Sequence, residues 1–137
     1  LENGNVFVGW GFLPYFSEFT RDGRLLFDGR FSGGGQSYRA FRFPWAGQPT
    51  EPPATALEVA PGGLATVYAS WNGATEVAQW QVLAGPTADA LAPVATAPRS
   101  GFETAIALGA VPGYYAATAL SRSGAELATT QPAKVSP

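Results

Sequence analysis

Tyr15-Phe16-Ser17-Glu18-Phe19 and Leu25-Leu26-Phe27-Asp28 are two short β-type runs joined through Arg21-Asp22-Gly23-Arg24. An Asp-Gly pair between alternating apolar runs is the strongest short-range hairpin signal. Neither run has helical spacing. Working outward, Val6-Phe7-Val8-Gly9-Trp10 precedes the hairpin, and Tyr38-Arg39-Ala40-Phe41-Arg42-Phe43 follows a Ser32-Gly33-Gly34-Gly35 loop. Residues 1–49 therefore read as a four-stranded antiparallel meander. Aromatics fall on both parities of these strands, as Tyr15 beside Phe16 shows. A sheet apolar on both faces needs cover on both faces. That is the pattern of a propeller blade wedged between neighbouring blades.

Composition breaks near the middle. Residues 1–49 hold twelve of the eighteen aromatics and five of the eight basic residues. Residues 54–137 are rich in Ala, Thr, Val and Pro. Between them, Gly47-Gln48-Pro49-Thr50-Glu51-Pro52-Pro53 reads as a stiff, extended segment, because Pro fixes φ and removes ladder donors. The boundaries are drawn as a blade-like part at 1–49, a Pro-rich linker at 50–53 and a second domain at 54–137.

Seven β-type runs fit the second part: 56–59, 65–71, 77–83, 94–96, 102–108, 114–121 and 126–130. Asn72-Gly73, Gly85-Pro86, Pro112-Gly113 and Ser123-Gly124 punctuate them at sandwich spacing. A seven-stranded immunoglobulin-like β-sandwich is expected. Tyr115 is the preferred tyrosine-corner residue, since its parity places Ala117 and Ala119 on the same face; Tyr114, which would place Leu120 inward, is the alternative.

The composition also excludes chemistry. The chain has no Cys and no His. A disulfide framework, a thiol nucleophile, a Ser-His-Asp triad and an imidazole-bound zinc are all ruled out. The net charge of -2, without a basic cluster, argues against a nucleic-acid partner. No apolar run is long enough to span a bilayer. The start at Leu1-Glu2-Asn3-Gly4, without an initiating Met or leader, leads to the expectation of a mature form or a piece of something longer. The missing Cys and Met are compatible with an extracellular setting.

Two resemblances follow. Asn3-Gly4-Asn5-Val6-Phe7-Val8-Gly9-Trp10-Gly11, Phe16-Ser17-Glu18-Phe19, Asp22-Gly23-Arg24-Leu25-Leu26-Phe27 and Ser37-Tyr38-Arg39-Ala40-Phe41-Arg42-Phe43-Pro44-Trp45 resemble the last blade region of the arylsulfotransferase family. The resemblance implies one blade of a six-bladed propeller. The family's covalent His carrier has no counterpart in this chain. Trp71, Trp80, Leu108, Pro112-Gly113-Tyr114-Tyr115 and Ser121-Arg122-Ser123-Gly124 resemble a fibronectin type III domain.

Candidate sites are few. Arg39 and Arg42 are the groups that could meet an anion, Glu18 is a further ligand candidate, and Trp10 and Trp45 are the rings that could stack on a sugar or aryl group. On a regular strand Arg39 and Arg42 point to opposite faces and cannot clamp one anion together. Structural pairing with Glu18 or Asp28 is the simpler role for them. Asp22 reads as a turn residue, and Ser32-Gly33-Gly34-Gly35 lacks the strand–loop–helix context of a phosphate loop. No catalytic residue, cofactor site or metal site is assigned. The expectation is the non-catalytic C-terminal portion of a secreted or cell-surface arylsulfotransferase-like protein, its sandwich capping or tethering the propeller. Its expected partners are the missing blades as another chain, or a second copy through the aromatic blade. The alternative is a carbohydrate- or cell-wall-binding, or adhesive, sandwich with a cell-surface polysaccharide as partner.

Overall fold

The computed structural model describes residues 1–135. It is all-β and antiparallel, with no sheet closed into a barrel, and it divides into two compact units, Leu1–Pro44 and Trp45–Pro137.

The first unit is a sheet of β1 (Val6–Gly9), β2 (Tyr15–Phe19) and β3 (Leu25–Arg30) in the order β1-β2-β3. The Asp-Gly turn forms as its sequence predicts. Thr20 N donates to Arg24 O at 2.9 Å, Arg24 N donates to Thr20 Oγ1 at 2.9 Å, and Gly23 takes φ +90°, a conformation that costs Gly no Cβ clash. The register shifts between Glu18 and Phe19, which leaves Leu26 as a bulge in β3. Pairing of Phe7 with Glu18, Gly9 with Phe16 and Phe16 with Gly29 sets one side of the register, and pairing of Val8 with Ser17 and Ser17 with Asp28 sets the other. Both faces carry aromatics, and no ring of these three strands is fully buried. Three strands have no second layer of their own to bury either face.

The expected fourth strand is corrected. Residues 38–43 are not a strand, so the sheet has three. The segment touches β1 at one point, where a Cβ added to Gly9 would come within 2.9 Å of Ala40 N and Cβ. Beyond that point a cleft of about 380 Å³ opens, lined by Val6 and Phe7 on one side and by Ala40, Phe41 and Arg42 on the other. The gap keeps the two backbones from forming a ladder. The Arg42 side chain reaches the sheet instead, pairing with Glu18 of β2.

The second unit is sandwich-like. β4 (Ala54–Val59), β5 (Ala65–Ser70) and β8 (Glu103–Leu108) form one sheet in the order β4-β5-β8. The other contains β6 (Gln79–Gly85), β7 (Ala92–Pro98), β9 (Tyr114–Leu120) and β10 (Glu126–Thr129) in the order β10-β9-β6-β7. All seven expected runs are strands. An eighth, β11 (Ala133–Lys134), pairs with β9 and lies outside the seven-run pattern. Pro132 has no N–H to donate, so the last strand breaks after Thr129 and resumes past the proline.

The core lies between the two sheets. Alternation sends Ala65, Val67 and Ala69 of β5 and Thr104, Ile106 and Leu108 of β8 inward, to meet Trp80 and Val82 of β6 and Tyr115, Ala117 and Ala119 of β9. Large and small residues pair across the ladder, Trp80 opposite Ala119 and Val82 opposite Ala117. The alanines of β9 make room for the rings, which is how a close-packed interior accepts them. Trp71, Ala74 and Val77 from the loop after β5 close one end. Tyr115 faces inward with Ala117 and Ala119, as its parity predicts, while Tyr114 is half-buried.

Trp80 is 2% exposed and Trp45 is 80% exposed. Urea unfolding followed by circular dichroism should show Trp80→Ala losing about 3–5 kcal/mol, and Trp45→Ala changing stability by less than about 0.5 kcal/mol. Burial raises the pKa of Tyr115 above the usual 10.0. A raised tyrosine favours the protonated folded form. Its contribution is complete below the unfolded value and is lost as pH rises through the folded one. Stability should therefore fall as the solution is made more alkaline than about pH 10, and Tyr115→Phe should flatten that decline.

Candidate functional site

Two neighbouring residues of the central strand of the first unit organise its buried polar contacts. Ser17 and Glu18 are 2% and 3% exposed in a sheet that is otherwise largely open. They point to opposite faces, and each is the centre of a separate polar web.

On the first face, Glu18 accepts a hydrogen bond from Asn5 Nδ2 at 2.7 Å on Oε1 and pairs through Oε2 with the Arg42 guanidinium. A buried carboxylate is costly unless it is both paired and hydrogen-bonded, and this one is both. Phe16 lies on the same face, ringed by Phe31, Phe27 and Phe7 at centroid distances of 5.1, 5.8 and 6.0 Å. Gly29 opposite Phe16 lets that ring lie flat against the strand, because an added Cβ would collide with it.

On the second face, Trp10 Nε1 donates to Ser17 Oγ at 2.8 Å, and Ser17 Oγ donates to Asp28 Oδ1 at 2.6 Å. The Trp10 ring meets Phe19 edge-on at 6.4 Å. Arg30 lies over the Tyr15 ring at 5.7 Å, a cation–π contact.

The residues singled out from the sequence are thus dispersed. Glu18 and Arg42 meet. Arg39 does not join them; its guanidinium lies over the Tyr38 ring at 5.1 Å. Trp10 is tied to Ser17 on the opposite face from Glu18, and Trp45 belongs to the second unit. Asp22 sits exposed in its turn, and a hydrogen bond from the Thr20 side chain holds its carboxyl below the usual range. Sequence reasoning did not single out Asn5 or Ser17. Their partners lie 13, 7 and 11 residues away along the chain, and no local pattern marks such pairings.

The Glu18 carboxylate is engaged through both oxygens, and the Ser17 hydroxyl donates to the Asp28 carboxylate. Among the described residues, no three His, Cys, Asp or Glu side chains gather as a metal site. No helix of the described residues is long and apolar enough to cross a membrane.

In the second unit, residues 47–53 are held against the loop after β5. Gly47 N donates to Thr75 Oγ1 at 2.8 Å, Thr75 N to Gly47 O at 3.1 Å, and Trp71 Nε1 to Glu51 O at 2.6 Å. Pro53 is buried. Trp71 and Trp80 are both core residues and offer no ring platform to a polysaccharide. A cleft of about 450 Å³ in this unit is lined by Ala84, Val94, Leu108, Val111 and other small or apolar residues. It contains no charged side chain.

Glu18→Ala should strand Arg42 and free residues 38–43. Limited trypsin digestion should then cut faster after Arg39 and Arg42 than in the unaltered chain, with stability reduced by about 1–3 kcal/mol. Unchanged cleavage rates would show that the pair does not hold the segment.

Comparison with family models, with curated proteins and with solved structures finds no match to this chain.

Proposed function

We propose that the chain is a non-catalytic assembly module, the C-terminal portion of a larger secreted or cell-surface arylsulfotransferase-like β-propeller protein. In this reading the first unit is one blade, and the second is a fibronectin type III-like sandwich that caps or tethers the propeller. One observation carries the reading: the β1-β2-β3 sheet has apolar residues on both faces and is fully covered on neither. Val6, Trp10, Leu25, Leu26 and Phe27 remain between 43% and 53% exposed. Exposure on that scale marks an interaction surface. Neighbouring blades would supply cover for both faces at once.

Three further features support it. The Asn5–Glu18–Arg42 and Trp10–Ser17–Asp28 webs give the recurring residues of the blade motif a structural task that needs no substrate. The chain contains no His, so a covalent carrier of that type would have to lie elsewhere. In the second unit, the first, second and fifth strands form one sheet and the remaining strands the other, a two-sheet division consistent with a fibronectin-type sandwich.

The test has two parts. The natural reading frame upstream of Leu1 should encode further Gly-Asn…Trp-Gly repeats. The isolated chain should bind a hydrophobic dye and transfer no sulfuryl group from an aryl sulfate to a phenol. A frame without repeats removes the propeller reading, and sulfuryl transfer by this chain removes the non-catalytic one.

A further inference from the structure

The free edge of the first unit is unlike the margins of the β10-β9-β6-β7 sheet. β7 carries Pro93 and Pro98, and Pro132 interrupts the last strand of the same sheet. Proline blunts an edge against pairing. On one side of the first sheet, residues 38–43 lie beside β1. On the other side, β3 presents Leu25–Arg30 with no proline and no strand beside it among the described residues.

The residues of that edge are arranged in a particular order. Phe27-Asp28-Gly29-Arg30-Phe31 is symmetric in its aromatics and antisymmetric in its charges about Gly29. Phe31 remains extended, at φ -70° and ψ 131°, so all five residues can enter a ladder. Phe31 N donates to Pro14 O at 2.8 Å. By the alternation of antiparallel ladders, Phe27, Gly29 and Phe31 bond inward to β2, and Asp28 and Arg30 turn their N–H and C=O groups outward.

We infer that β3 is a self-pairing edge, which joins a second copy of this chain antiparallel across a two-fold axis at Gly29. Along Phe27–Phe31 only Asp28 and Arg30 have outward backbone groups, so few registers exist. Centring on Asp28 sets two carboxylates opposite each other, and centring on Arg30 sets two guanidiniums opposite each other. Centring on Phe27 sets Arg30 against Arg24 of the other copy. Centring on Gly29 sets Asp28 opposite Arg30 twice and Phe27 opposite Phe31 twice. Opposite charges across a ladder stabilise it and like charges oppose it. In this register the charged pairs share one face and the Phe pairs share the other, where each copy already has the Phe16 cluster. Gly29 meets Gly29 at the axis with no side chain between them. The same patch serves both copies, as an isologous interface requires. The sheet faces stay free, so the pairing does not depend on the propeller proposed above.

The experiment is sedimentation velocity of the full chain over a concentration series. The unaltered chain should form dimers. Asp28→Arg and Arg30→Asp should each weaken dimerisation about tenfold or more, because each sets like charges opposite twice. Mixed in equal amounts, the two variants should dimerise again. The first variant is then positive at both flanking positions of the axis and the second negative at both, so every cross-strand pair is of opposite sign. Both substitutions also remove contacts to Ser17 or Tyr15. Hydrogen exchange on the unaltered chain therefore gives a second readout: the amides of Asp28 and Arg30 should gain protection as concentration rises. A chain that stays monomeric throughout overturns the inference. So does a dimer that both variants form unchanged, or one that leaves those two amides unprotected.

Discussion

The Glu18 carboxylate governs the first unit. It lies buried in the central strand of a sheet with little other burial, and a buried charge must be paired or it becomes very costly. The pairing reaches Asn5, ahead of the first strand, and Arg42, beyond the last. One side chain therefore ties two chain segments on the β1 side of the sheet to its centre. On the reverse face Ser17 performs a similar task through Trp10 and Asp28. Replacing these groups would disturb how the sheet is held together.

The two units solve the burial problem differently. The sandwich has two sheets, so each gives the other an inner face, and its tryptophans can be sealed against alanines. The three-stranded sheet has no opposing layer. Its aromatics pack against each other around Phe16 but stay in contact with solvent. Hydrophobic burial is the main favourable contribution to folding, and this sheet gains comparatively little of it within the chain. That deficit makes association, through faces or edge, the most economical account of why so many rings are placed there.

Edges differ as well. Prolines at the margins of the β10-β9-β6-β7 sheet withhold backbone donors, and a strand missing donors is a poor template for another. β3 keeps its donors and adds charges of alternating sign. A strand of this type discriminates among partners, because most registers bring like charges together.

The strands of the sandwich were legible in the sequence because their signal is local: alternation, β-branched residues and Asn-Gly or Pro-Gly turns repeat along the chain. The Asp-Gly hairpin and the inward Tyr115 were legible for the same reason. The fourth strand of the first unit rests on an equally good pattern, yet residues 38–43 do not pair. Pairing depends on how closely β1 is approached, and a cleft beside Phe7 separates the backbones. Short-range pattern carries no information about that distance. Asn5 and Ser17 were not legible because hydrogen bonds between residues far apart in the chain arise only from strand register. The sequence by itself determined the all-β class, the alternation and the absence of thiol and imidazole chemistry, since these follow from residue identity and period. The tertiary structure decided which polar groups meet, which edge stays open and which rings remain uncovered, since these depend on which strands become neighbours.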